Sequence, residues 1–215
     1  AFAYRAALTT LVRSGWPYSD EAKGYRELAL VPRTSRTPYP HQREAVAAWA
    51  AQRHMGTVVL PTGSGKTFVA ELAILKVQRS TLVVAPTLDL MSQWYDRLTV
   101  AFGEPVGAVG GGSHEVRDLT VTTYDSFYRY ADHFGHRFGL VVFDEVHHLP
   151  GPSYALGAEL MIAPYRLGLT ATPERSDGRE AVLTRLVGDI VYRCDVKDLA
   201  GSHLAPYETV RVTVD

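Results

Sequence analysis

Short apolar runs rich in β-branched residues recur along this 215-residue chain, separated by stretches with helical spacing. That alternation calls for crossover connections, and so for an α/β fold with a mainly parallel sheet flanked by helices. The runs predict strands over residues 57–60, 81–85, 119–122, 140–143, 166–169 and 189–192. Among the helices the clearest covers 88–102, where Met91, Trp94, Tyr95, Leu98 and Phe102 form an apolar stripe and leave Asp96 and Arg97 on the wet side. Another over 42–52 stacks Ala45, Ala48 and Trp49, and one beginning after Lys66 offers Val69, Leu72 and Ala73.

Two strand exits carry chemistry. The first strand runs into Pro61-Thr62-Gly63-Ser64-Gly65-Lys66-Thr67, a glycine-rich loop that opens a helix. Gly63 and Gly65 let the backbone approach phosphate oxygens closely, and the first N–H groups of the helix stay unpaired and point at the anion. Lys66 supplies a cation for the β- and γ-phosphates, the Thr67 hydroxyl a ligand for Mg²⁺, and Ser64 keeps the loop small. The longer G-x-x-x-x-G-K-[ST] pattern wants glycine where this chain has Leu60, so the match is to the shorter P-T-G-x-G-K-T form. By itself the segment also reads as a plain strand-to-helix turn with a surface lysine. Against that stands Asp144-Glu145-Val146-His147 at the exit of Leu140-Val141-Val142-Phe143: two carboxylates, one to hold Mg²⁺ and one to orient water. The two exits together imply nucleoside triphosphate hydrolysis.

Composition narrows the class further. An apolar share of 46% suffices for a core, and no stretch approaches a membrane span. The lone Cys194 excludes an internal disulfide and reads as a small buried hydrophobe near a strand end. With 22 basic against 23 acidic residues there is no cationic field to advertise nucleic acid, although backbone N–H groups and hydroxyls can track a strand without one. His147 and His148 have no Cys or third His at ligand spacing, so Mg²⁺ brought in by the nucleotide is expected and zinc is not. Residues 1–40 differ in texture: a short helical stretch over 4–12 stops at Ser14-Gly15, and 31–40 is an extended, proline-stiffened basic linker. The chain opens on Ala1, and forty residues cannot support a core of their own, so this part is expected to be the end of an upstream domain.

Five segments occur in a telling order: P-T-G-S-G-K-T at 61–67, T-L-V-V-A-P-T-L-D-L-M-S-Q-W at 81–94, V-T-T-Y-D-S at 121–126, F-D-E-V-H-H-L-P at 143–150 and L-G-L-T-A-T-P-E-R at 167–175. With them the chain resembles the first motor half of a superfamily 2 DNA helicase of the XPB type, a DEVH-box protein. L-A-P-Y-E-T-V at 204–210 is similar to the connector that leads to the second motor domain in bacterial and archaeal members.

That resemblance implies a RecA-like P-loop domain over 41–203, an upstream end plus linker over 1–40, and the start of the connector over 204–215. It implies ATP held by Pro61 to Thr67, with the amide of Gln42 on the adenine edge. The family usually has Arg-Pro-Tyr-Gln there where this chain has Pro40-His41-Gln42, and a glutamine in a first helical turn also reads as an ordinary polar residue. Lys66, Asp144, Glu145 and His147 become the catalytic set, with Thr67 and Asp144 on Mg²⁺, and Thr170-Ala171-Thr172 links phosphate state to the grip on nucleic acid. His148 reads as a solvated neighbour. One DNA strand is expected on Pro86-Thr87, Gly110-Gly111-Gly112 and Thr122-Thr123, segments that read equally as bare turns or strand ends. Arg175-Ser176-Asp177 stands where the family often has Arg-Glu-Asp, which puts a DNA-opening role for it in doubt.

The implied parent is a DNA translocase moving 3′ to 5′ in repair or transcription, in the cytoplasm and nucleoid of a prokaryote, without a membrane. Its partners are DNA, a second RecA-like domain of the same polypeptide and, in some members, a nuclease or repair assembly. Arginines of the second domain complete such sites, an effect worth ~10³ to 10⁵ in rate. By itself the chain is expected to bind ATP–Mg²⁺ weakly, hydrolyse it very slowly and unwind nothing. Other superfamily 2 motors, of the restriction or remodelling type, and a nucleotide-gated DNA-binding module without turnover stand as alternatives.

Overall fold

A computed structural model describes residues 4–172 and 180–199. The strands are β1 (Met55–Val59), β2 (Thr81–Ala85), β3 (Val106–Gly110), β4 (Ser113–Glu115), β5 (Leu119–Thr123), β6 (Leu140–Asp144), β7 (Tyr165–Thr170) and β8 (Ile190–Arg193). The helices are α1 (Tyr4–Ser14), α2 (Pro40–Ala51), α3 (Lys66–Val77), α4 (Leu88–Phe102), α5 (Tyr124–Phe134), α6 (Pro152–Leu160), α7 (Glu180–Leu186) and α8 (Val196–Leu199), with one 3₁₀ turn at Val146–His148. The strands join in one sheet of order β4-β3-β5-β2-β6-β7-β1-β8. Every neighbouring pair is parallel except β3 with β4.

Both faces of the sheet are covered, which is why its central strands are buried at nearly every position, with apolar residues and threonines, rather than at alternate ones. On β6, Leu140 and Val142 enter the core shared with α2, α3 and α4, while Val141 and Phe143 enter the core shared with α5, α6 and α7. Arg166 of β7 is the exception: it is fully buried and donates to the carbonyls of Leu186, Ala158 and Met161 at 2.7, 2.9 and 2.7 Å. It ties α6 and α7 to the sheet. Cys194 lies buried just past β8, and burial pushes its thiol above the usual range.

All six expected strands are present, with ends moved by a residue or two. The β3–β4 hairpin and α5 are additions. Val106-Gly107-Ala108-Val109-Gly110 is too glycine-rich to stand out as a strand, and only its parallel pairing with β5 makes it one. Tyr95, expected in the core, is 39% exposed, because the stripe on α4 runs through Met91, Trp94, Leu98 and Phe102 and turns its next-door neighbour outward.

Within residues 1–40 the extended part is bonded to the sheet domain. Leu28 N donates to Gln78 O at 2.8 Å, Arg26 N to Ser80 Oγ at 2.8 Å and Arg33 N to Ala101 O at 2.8 Å. Gln78 and Leu30 exchange two further bonds at 2.8 and 3.0 Å, and the Leu30 side chain is buried in the α2–α3–α4 core. Among the described residues no helix is long and apolar enough to cross a membrane.

Candidate functional site

The sequence-predicted residues gather at the C-terminal edge of the parallel strands, where crossovers leave loops and helix N-termini facing a shared crevice. The strand order divides them. Exits of β6, β7 and β1 carry the glycine loop, the carboxylates and Thr170, while exits of β3, β5 and β2 carry the segments expected on nucleic acid. The seam falls between β2 and β6.

After β1, Pro61 is buried and Thr62 exposed. Gly63 and Gly65 hold φ of +82° and +85°, a left-handed conformation costly for any residue with a Cβ. A Cβ on Gly65 would also lie 2.4 Å from Gln42 Nε2. Ser64 is buried with its hydroxyl on Pro61 O at 2.7 Å, and its own carbonyl accepts from Gln42 Nε2 at 2.9 Å, with His41 Nε2 3.0 Å away. Gln42 Oε1 accepts from Tyr39 N at 3.0 Å. Both ends of that amide therefore strap the loop to the start of α2. No side chain caps α3, and while Phe68 N and Val69 N donate to Gly65 O at 2.9 and 3.2 Å, the Lys66 and Thr67 amides of its first turn are left to an external acceptor.

Asp144 closes β6 and is gripped from three directions. Trp94 Nε1 donates to its Oδ2 at 2.8 Å, Glu145 N to its Oδ1 at 3.1 Å, and Tyr124 Oη to its carbonyl at 3.0 Å. Burial raises the Asp144 carboxyl above its ordinary range, with the Glu145 charge adding to the rise and the Trp94 bond opposing it. Glu145 has φ +46°, an uncommon angle for a residue with a Cβ, and this turn brings its carboxylate back over the site. Lys66 Nζ is 3.9 Å from Glu145 Oε1 and donates to Leu60 O at 3.3 Å. His147 Nδ1 is 3.4 Å from Glu145 Oε2 and 3.0 Å from Thr170 Oγ1. Thr170 Oγ1 donates to Glu145 Oε2 at 3.3 Å and accepts from Thr172 N at 3.1 Å. Three strand exits thus meet at Glu145.

A cavity of about 550 Å³ opens here, lined by Gln42, Gly63, Ser64, Gly65, Thr67 and Asp144 among others. Thr67 and Asp144 present hard oxygen donors, one hydroxyl and one carboxylate, a set suited to Mg²⁺ that shares its shell with phosphate oxygens and water. No group of three or more His, Cys, Asp or Glu side chains able to hold a metal occurs among the described residues.

The other half of the edge is built from helix caps. Pro86 is half-buried, and Thr87 is exposed and caps α4 by accepting from Leu90 N at 3.2 Å. Thr123, expected on nucleic acid, is buried and caps α5, accepting from Ser126 N at 3.3 Å, so its hydroxyl serves the helix end rather than solvent. Gly111 and Gly112 form the exposed tip of the β3–β4 hairpin with φ of +60° and +91°. Thr122 is different: it is fully buried and its hydroxyl donates to Val109 O at 2.7 Å, which ties β5 to β3 rather than facing solvent. Arg175-Ser176-Asp177 and residues 204–215 lie outside the described residues.

Sequence reasoning overlooked three participants. Trp94 reads as core from its spacing, and nothing in the chain pairs it with a carboxylate fifty positions on. Tyr124 sits inside V-T-T-Y-D-S without a cue to its partner. Buried Glu71 receives Arg36 at 2.5 Å and Arg97 at 2.7 Å, and the Arg36 guanidinium stacks 4.1 Å over Phe68, so both arginines are held on the cavity wall.

Comparison with known proteins adds to this geometry. Residues 35–175 match the family described as type III restriction enzyme, res subunit. The DNA 3′-5′ translocase XPB2 of Sulfurisphaera tokodaii is 41% identical, over 93% of this chain and 52% of that protein. The DNA 3′-5′ helicase XPB of Kineococcus radiotolerans is 35% identical, over 95% of this chain and 39% of that protein. The chain therefore spans about two-fifths to one half of these relatives. Among solved structures, the UvsW helicase of bacteriophage T4 superposes with a TM-score of 0.61 at 17% identity, covering 88% of this chain and 77% of the other, a likeness of fold.

Proposed function

This chain belongs to the family of type III restriction enzyme res subunits, and from that membership, with its XPB-type relatives, we infer that it is the first, ATP-binding motor half of a DNA helicase or translocase. The fold is the RecA-like α/β class. The observation that carries the reading is one cavity at the strand exits walled by Gly63, Ser64, Gly65, Thr67 and Asp144, with Glu145, next to Asp144 in the chain, held 3.9 Å from Lys66 and 3.3 Å from Thr170.

In this reading the amides of Gly63 to Thr67 and the first turn of α3 cradle the phosphates, and Lys66 neutralises the β- and γ-phosphoryl oxygens. Gln42 sets the height of the loop and presents the adenine edge with a partner. Thr67 and Asp144 would hold the Mg²⁺ that comes with the nucleotide, and that ion would supply charge neutralisation for the phosphates. Glu145 orients the attacking water, with its carboxylate fixed by His147 and Thr170. Through Thr170 and Thr172 the same contacts carry phosphate state toward the DNA-facing half. One DNA strand lies along Pro86-Thr87 and Gly111-Gly112, whose backbone amides and the Thr87 hydroxyl contact phosphate without reading bases, while buried Thr122 and Thr123 hold that edge from inside.

Residues 41–203 form the first motor domain, 1–40 the end of an upstream domain plus linker, and 204–215 the start of the connector to a second RecA-like domain. The parent moves 3′ to 5′ in DNA repair or transcription, in the cytoplasm of a prokaryote, alone or with a nuclease or repair assembly. The 3′-to-5′ direction is supported by the two relatives named above, a DNA 3′-5′ translocase and a DNA 3′-5′ helicase, and the other parts of this reading rest on the order of the sequence motifs.

The test is made in the two-domain protein. Lys66→Ala and Glu145→Gln should each remove DNA-stimulated ATP hydrolysis by at least about 10²-fold. DNA binding indifferent to nucleotide and to both changes would instead mark a binding module without turnover.

A further inference from the structure

Asp144 sits at the seam of the two halves, and its two aromatic hydrogen bonds come from the half assigned to DNA. Trp94 lies two turns into α4, whose cap is Thr87. Tyr124 is the first residue of α5, whose cap is Thr123. We propose that Trp94 and Tyr124 are positioning residues that transmit occupation of the Thr87 and Gly111-Gly112 loops by a DNA strand to Asp144, one through its carboxylate and one through its carbonyl. The proposal rests on the functional reading above and deepens it.

The packing leaves little slack in that path. Both aromatic side chains are almost entirely buried, Trp94 with one side on the wall of the nucleotide cavity. The end of β3 wedges between the two helices: a Cβ at Gly110 would lie 3.2 Å from Met91 Sδ and 3.2 Å from Ser126 Oγ, and one at Gly111 would lie 3.2 Å from Leu88 Cδ2. The three loops therefore share contacts through the first turns of α4 and α5. A helix moves as a rigid piece over two turns, so a shift of the Thr87 cap reaches the indole undiminished. Glu145, Lys66, His147 and Thr170 hold the other side of the site, so such a shift changes where Asp144 stands relative to them.

The test compares, in the two-domain protein, the affinity for a fluorescent ATP analogue with Mg²⁺, with and without a single-stranded oligodeoxynucleotide, in wild type, Trp94→Phe and Tyr124→Phe. Tyr124→Phe removes its donor and keeps the ring, and Trp94→Phe removes the indole N–H and leaves a smaller aromatic ring in its place. Wild type should show a ratio of affinities of about 5- to 150-fold, the usual span of coupling between two sites, and in both variants the ratio should fall toward one. A merely structural role would weaken each ligand alone and leave the ratio at its wild-type value. That result overturns the relay, as does a wild-type chain that binds both ligands with a ratio of one. A wild-type chain with no Mg²⁺-dependent nucleotide binding, or none to the oligonucleotide, overturns the site reading and the relay with it. Should one variant fail to fold, the other decides, because the two donors reach Asp144 by separate helices.

Discussion

Single side chains decide whether the crevice holds its shape. Gly65 combines a left-handed backbone with a glutamine amide where a Cβ would go, so Gly65→Ala should destabilise the fold by about 1–2 kcal/mol and displace Gln42, read as a lower urea midpoint together with weaker nucleotide binding. Arg166 illustrates the opposite economy. Three buried carbonyls depend on one guanidinium, and Arg166→Met leaves them without a donor, at a cost of about 3–5 kcal/mol in equilibrium unfolding. The glycines and Lys66 were legible in the sequence because local backbone chemistry singles them out. Arg166 was legible only as a strand residue, since its partners lie on α6 and α7.

Among the elements, the turn from α2 into β1 is the most strained short connection. Arg53 and His54 both take positive φ, at 56° and 62°, and the His54 ring packs edge-on to Trp49 and against Tyr165. Burial first, then the charges of Lys76 and Arg79, hold the His54 imidazole below its ordinary 6.5. A lowered folded pKa means that the unfolded chain binds the proton more readily. Stability from this group is therefore full above pH 6.5 and declines as pH falls through the folded value. His54→Asn, which tolerates the left-handed angle, should flatten that acid limb in thermal melts recorded from neutral to mildly acid pH. Helix α4 was readable end to end from its stripe, whereas the β3–β4 hairpin was not, because glycine-rich strands have no periodicity and exist by pairing alone.

Across the whole molecule, the sheet separates two jobs along one edge, and the extended strap of residues 24–33 closes the opposite side before Arg36 reaches the cavity wall. Because Leu30 is part of the main core, Leu30→Ala should cost about 2–4 kcal/mol, measured by denaturant unfolding, while changes in the exposed Trp16 should cost less than about 0.5 kcal/mol. A second prediction concerns turnover. If arginines from another domain complete the site, the 215-residue chain should hydrolyse ATP at least ~10³-fold more slowly than the two-domain protein, and a DNA-stimulated rate typical of an intact motor would contradict this. The alternation of apolar runs and helical stretches determined the layered parallel architecture by itself, because periodicity and propensity act within a few residues of each other. The phosphate loop and the acidic strand exit were equally local. Which strands lie side by side, and hence that Trp94 and Tyr124 close on Asp144 while Thr122 turns inward, was decided only by tertiary structure: those contacts join residues 13 to 50 positions apart, and the free energy that selects them comes from burying both faces of the sheet at once.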